Sequence, residues 1–173
     1  MTAADKYYLK AKDNYPYDFD EVTEALAYGL SHDETHAGLL TLQGCVYYRD
    51  LKQFENAREC FELALYHDNT FVELYYAYID LVLQIEDLGE ADKLIVAALK
   101  TKGIDRSLIL YKEAILNEKR GLYKEAVTKL SYAQYNCTDS KRYAFYEEET
   151  ERLKTKEKQN ASRDKAINII LKG

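Results

Sequence analysis

The chain repeats itself, and this limits its possible folds more than any other property. Residues 19–35 read FDEVTEALAYGLSHDET and residues 54–70 read FENARECFELALYHDNT. At an offset of 35 they are identical at Phe19/Phe54, Glu24/Glu59, Leu30/Leu65, His32/His67, Asp33/Asp68 and Thr35/Thr70. A weaker third copy runs from Leu88-Gly89-Glu90-Ala91 through Ile95 and Ala98. A fourth, 35 residues further on, runs from Tyr123-Lys124-Glu125-Ala126 through Leu130 and Ala133. A unit this short cannot bury its apolar face alone, so successive copies must stack into a linear array. That array is all-α: 7 Gly and 1 Pro in 173 residues are too few for the turns of a sandwich or barrel. With 47% hydrophobic and 31% charged residues, the composition is that of a packed domain and excludes disorder.

Each copy is expected to form two helices, A then B. Phe54, Ala57, Phe61, Ala64 and Leu65 fall on one face of a B helix. Amphipathic segments at 37–48, 72–85 and 108–116 supply the A helices. The small residues Gly44, Ala77 and Ala114 stand 13, 14 and 12 residues before Ala57, Ala91 and Ala126, and mark where A approaches B. Thr35, Thr70, Asp105 and Asp139 are expected N-caps. Thr2 and Asp5 form a capping box for a first helix, which Asn14-Tyr15-Pro16-Tyr17 stops, and Asp18 caps the next. Gly103 and Gly121 suit helix ends. A long helix is expected at 140–158, then a short one at 161–171 using Ala166, Ile167, Ile170 and Leu171. The expected organisation is a helical array over residues 1–160 closed by a capping helix and tail at 161–173, about ten helices in five antiparallel pairs.

The period and pattern resemble the tetratricopeptide repeat family. The best copy has Gly44-Cys45-Val46-Tyr47 in helix A with Ala57, Phe61 and Ala64 in helix B; Ala91, Ile95 and Ala98, then Ala126, Leu130 and Ala133, repeat the helix-B part. The chain departs from the family in having no Trp and in carrying Glu34, Asn69 and Thr138 where the repeat-end proline stands. The resemblance implies a right-handed α-solenoid whose A helices line a concave surface. It places Thr41, Cys45, Tyr48 and Arg49 there from one copy, Leu74, Tyr78 and Leu81 from the next, and Tyr111, Ile115 and Glu118 from a third. Tyrosine, present 17 times against 5 Phe, gives large contact area with a polar tip. The implied function is a non-catalytic scaffold or adaptor that binds a peptide or helix of another protein in a tyrosine-rich groove, with Tyr48, Tyr78 and Tyr111 partly exposed on it.

Chemistry elsewhere in the sequence is sparse. His32 and His67 occupy equivalent places and are expected to meet the last carbonyls of their helices; His36 need not share a face with His32. No phosphate loop, nucleophile elbow, HExxH or paired-Cys spacing occurs, so neither catalysis nor a cofactor or metal is expected. Cys45, Cys60 and Cys137 are odd in number, which fits free thiols in a reducing compartment. With no leader pattern and no apolar span, a cytoplasmic protein away from membranes is expected. The positions matching the carboxylate clamp of chaperone-tail adaptors, Thr41, Leu42, Cys45, Phe71 and Tyr75, offer no cation or amide pair. Net charge is −6, the wrong sign for a phosphate-backbone binder. Only residues 141–173 are net basic, with 9 cations against 6 carboxylates. An alternative role in an RNA-processing assembly, by analogy with half-a-tetratricopeptide repeats, would use that segment to touch RNA or an acidic partner.

Overall fold

A computed structural model describes residues 1–172, with side chains through Ser162. Among them are nine α-helices and no strand. The chain divides into two compact units, Met1–Ile85 with Thr101–Gly103, and Glu86–Lys100 with Ile104–Gly173.

Unit 1 contains α1 (Ala3–Asn14), α2 (Phe19–His32), α3 (Ala37–Cys45), α4 (Phe54–His67) and α5 (Val72–Gln84). The A helices α1 and α3 pack on their B partners α2 and α4, and α1, α3 and α5 lie in succession. The close A–B approach expected at Gly44 is present: a Cβ there would fall 2.5 Å from the ring of Phe61. Ala57, Phe61 and Ala64 are fully buried on α4, and Val22 and Ala25 on α2. Local chemistry sets the helix starts. Thr2 accepts from Asp5 N–H at 3.0 Å while Asp5 accepts from Thr2 N–H at 2.6 Å, and Asp18 accepts from Glu21 N–H at 3.1 Å. Thr35 and Thr70 do not cap. The Thr35 hydroxyl and N–H both donate to Asp33 Oδ1, at 2.7 and 2.9 Å, and Thr70 does the same to Asp68 at 2.6 and 2.8 Å. With Thr35 committed to the turn, His36 caps α3, its Nδ1 accepting from Leu39 N–H at 3.1 Å. His32 and His67 lie against tyrosine rings, Tyr7 at 5.7 Å and Tyr66 at 5.1 Å.

Unit 2 contains α6 (Leu88–Ala98), α7 (Arg106–Lys119), α8 (Tyr123–Tyr135) and α9 (Ser140–Lys172). Its core joins Leu110 and Ala114 of α7, Ala126, Leu130 and Ala133 of α8, and Tyr146 and Leu153 of α9. Asp105 caps α7 through Ser107 and Leu108 N–H, and Asp139 caps α9 through Arg142 N–H at 2.7 Å. Helix α7 ends on Gly121 (φ 75°). Gly121 N–H bonds to Glu118 O and Leu122 N–H to Asn117 O, both at 2.9 Å, which is the Schellman closure. The break expected at 159–160 is absent: nothing in Gln159-Asn160 forbids helix, and α9 runs through. The capping role expected of Ala166, Ile167, Ile170 and Leu171 concerns side chains outside the described residues.

One feature of both units left no mark in the composition. Lys52 (φ 57°) and Glu86 (φ 60°) are left-handed. With Gly121 they stand two residues before the B helices α4, α6 and α8. Three of the four A-to-B turns take a positive φ, and only one of those three has glycine; the turn from α1 to α2, which carries Pro16, has none.

Candidate functional site

In unit 1 the three A helices enclose a groove of about 360 Å³. Helix α3 supplies Gly38, Thr41, Leu42 and Cys45; α1 supplies Tyr8 and Lys12, with Tyr15 just beyond its end. From α5 and its cap come Phe71, Glu73, Tyr76 and Ala77. The helices come close because Gly38 faces Tyr8; a Cβ on it would sit 3.0 Å from that ring. Helix α3 ends in a π-helical turn, Val46–Asp50, a widening that places Arg49 on the groove. In that turn Asp50 accepts from the Tyr15 hydroxyl at 3.1 Å, and Arg49 lies 3.9 Å from Asp80.

The groove has an apolar floor and a rim dominated by hydrogen-bond donors. Lys12 Nζ stands 3.4 Å from Glu73 and 5.5 Å above the Tyr8 ring. Burial, reinforced by Asp50, pushes the Tyr15 phenol up to about 12, so it stays a neutral donor. Burial pushes the Cys45 thiol up to about 11, which makes it a packing residue and no nucleophile. The Thr41 hydroxyl is buried without a hydrogen-bond partner, a cost of about 1–3 kcal/mol. No cluster among the described residues gathers three or more metal-ligating side chains.

The expected site residues divide. Thr41, Cys45 and Arg49 line the groove. Tyr48 does not: it is half-buried, with its ring 6.2 Å from Phe54. Leu74, Tyr78 and Leu81 are core, each 1% exposed or less, so the expected exposure of Tyr78 is corrected. Its ring packs 5.4 Å from Phe61, and its hydroxyl donates to Glu62 at 3.2 Å. The cause is register. The small residues Gly44 and Ala77 stand 33 apart, whereas the lining pairs Gly38/Glu73, Thr41/Tyr76 and Leu42/Ala77 stand 35 apart. That spacing was visible in Thr35/Thr70 and would have selected Tyr76. Tyr8, Lys12 and Tyr15 lie outside the expected set, and their one sequence signal is spacing, Tyr8 standing 34 residues before Leu42.

In unit 2, Tyr111, Ile115 and Glu118 are half-buried. Tyr111 packs on Phe145 and Tyr146, at 5.4 and 5.3 Å. Glu118 accepts two bonds from Arg152 at 2.6 Å each and one from Lys156 at 2.6 Å, which holds its carboxyl at about 2. Tyr111 and Glu118 therefore face α9. A larger hollow of about 550 Å³ beside α9 is lined by Glu147, Glu148, Glu151 and Lys154 with Gln134, Tyr143 and Thr150, and lacks the apolar floor of the unit 1 groove. Four cations of α9 are paired: Arg142 with Asp105, Arg152 with Glu118 and Glu149, Lys154 with Glu151, Lys156 with Glu118. No helix among the described residues is long and apolar enough to cross a membrane.

No family model matches the chain, and no curated protein matches it in sequence. Solved structures do. A chain from the functional characterization of pilF of Pseudomonas aeruginosa superposes with a TM-score of 0.79 at 15% identity, covering 91% of this chain and 70% of that one. That protein contains tetratricopeptide repeats. At this identity the likeness establishes fold alone, and together with the all-helical repeats it gives the chain a tetratricopeptide-like, all-α solenoid fold.

Proposed function

We propose that this protein is a non-catalytic interaction module, and that the groove between α1, α3 and α5 receives a peptide or helix of another protein. The carrying observation is the groove itself. Three helices converge on an open apolar floor edged by Tyr8, Tyr15 and Tyr76 and by two cations, the mixture of aromatic area and polar tips enriched in protein interfaces. The fold favours the same role, since helical repeats present extended surfaces and not enclosed reaction chambers. The reading keeps the tyrosine-rich groove of the sequence analysis but assigns it to Tyr8, Tyr15 and Tyr76 in place of Tyr48, Tyr78 and Tyr111. The pairing of Arg142, Arg152, Lys154 and Lys156 with carboxylates favours a solvated helix face over an RNA contact at those four positions.

The test compares capture from native lysate by the wild-type chain and by Tyr76→Ala, with quantitative mass spectrometry. A discrete partner should be retained by the first and reduced at least tenfold with the second, at unchanged helicity and melting temperature. An identical captured set from a folded Tyr76→Ala variant would place the binding surface elsewhere.

A further inference from the structure

We propose that the unit 1 groove is built for an internal acidic segment of another protein, one that lays an apolar side chain on Phe71 and Tyr76 and sets a carboxylate against Lys12 and Arg49. The proposal rests on the interaction role above and names the chemistry of the partner.

Charge placement carries it. Unit 1 is acidic, with seven Lys and Arg against fifteen Asp and Glu. The lining of the groove departs from that balance: two of the seven cations line it with one carboxylate, Glu73, while Asp50 and Asp80 stand at its edge on Tyr15 and Arg49. Two cations facing one opening in an otherwise acidic body draw anionic ligands to that place in preference to the rest of the surface. Neither cation is held tightly by its own chain. Lys12 stands 3.4 Å from Glu73 and Arg49 stands 3.9 Å from Asp80, and all four side chains are a third or more exposed. An incoming carboxylate can therefore replace or share these partners with little loss.

The Thr41 hydroxyl is an independent observation. Thr41 lines the groove, is 5% exposed, and has no hydrogen-bond partner for its Oγ1. Native proteins leave few such groups, and one that opens on a groove can be satisfied by what enters it. A hydroxyl, an ammonium and a guanidinium are all donors, so they ask for an acceptor-rich ligand. An internal carboxylate is favoured over a chain-terminal one because the groove has no paired cation and amide on successive A helices. Thr41 and Tyr76 occupy the equivalent places on α3 and α5.

The experiment displays a random peptide library, flanked on both sides so that no free terminus is present, on the full-length chain. Enriched peptides are synthesised with blocked ends and measured by titration. The expected consensus has Asp or Glu within a few residues of Phe, Tyr, Leu or Ile. Changing the peptide's acids to amides, or the protein to Lys12→Gln/Arg49→Gln, should weaken binding at least tenfold, and Thr41→Val should weaken it while leaving the fold intact. Raising salt from 50 to 300 mM should weaken the wild type more than the double variant. A neutral or basic consensus, or amide peptides that bind as well, would overturn the acidic-segment proposal while leaving the groove standing. Binding confined to unblocked peptides would show a terminal carboxylate and overturn the internal assignment. Enrichment of no peptide, or of peptides indifferent to Tyr76→Ala, would instead overturn the groove as the binding surface.

Discussion

Gly44→Ala and Gly89→Ala are the same chemical change, and the structure assigns them opposite signs. At Gly44 the new methyl group would lie 2.5, 2.7 and 3.0 Å from three atoms of the Phe61 ring, which is itself fully buried. A rigid ring in a closed core cannot step aside, and overpacking of this kind costs about 1–3 kcal/mol. Alanine's better helix propensity returns about 1 kcal/mol. Because the contact is so short, the upper part of the overpacking range applies, leaving a net loss of about 1–2 kcal/mol. At Gly89, in the first turn of α6, the new methyl group meets only Asp87 Oδ1 at 3.9 Å. Nothing opposes the gain from a stiffer unfolded chain, about 0.4–1 kcal/mol. Urea denaturation followed by circular dichroism measures both, with the midpoint read at unchanged slope. In thermal melts Gly44→Ala should lower the midpoint by about 2–8 °C, and Gly89→Ala should raise it by about 1–4 °C. A neutral or stabilising Gly44→Ala would refute the claim that the A–B approach in unit 1 depends on the missing side chain.

Tyr78→Ala should destabilise the protein by about 3–5 kcal/mol, since the ring packs on Phe61 in the core; a melt close to wild type would return Tyr78 to the surface. Lys52→Gly should stabilise by up to about 1 kcal/mol and Gly121→Ala should cost about 1 kcal/mol, because both positions are left-handed and nothing crowds Gly121; equal melts for all three chains would contradict this. Glu118 titrates at about 2 in the folded protein, chiefly through its bonds from Arg152, against 4.5 unperturbed. Its stabilising contribution is therefore complete above pH 4.5 and lost as pH falls towards 2. Glu118→Gln should remove that part of the acid limb and lower stability at pH 7, and parallel pH–stability curves for the two proteins would refute it.

What could be read from the residues was local. Thr2, Asp18, Asp105 and Asp139 were recognised as caps because each acts on an N–H two or three residues away. Ala57, Ala91 and Ala126 were placed in the core by helical spacing, and all three are fully buried. Thr35 and Thr70 differ from caps because Asp33 and Asp68 take both the threonine N–H and its hydroxyl proton, which holds the side chain back in the turn, away from the N–H groups a cap accepts from. The left-handed turns at Lys52 and Glu86 carry no glycine to announce them. The groove was legible as a set of A-helix residues but not in its register. Whether Tyr76 or Tyr78 faces outward depends on a shift of two residues, and that shift is set by the length of the A-to-B connection, including the π-helical turn at Val46–Asp50.

The Asp–Thr turns of unit 1 have a consequence for how such a chain grows. Each is closed by groups two residues apart, Asp33 with Thr35 and Asp68 with Thr70. Their shape therefore owes little to the helices they join. The segment from Asp33 to His67 starts and stops at the same point of the same turn, and both natural junctions read His-Asp. Duplicating those 35 residues creates no new junction, since His67 would be followed by Asp33 as it is now followed by Asp68. Unit 1 can thus lengthen by one A and one B helix in a single step, the inserted A helix standing between α3 and α5 and so lengthening the row of A helices while parting the α3 and α5 sides of the present groove.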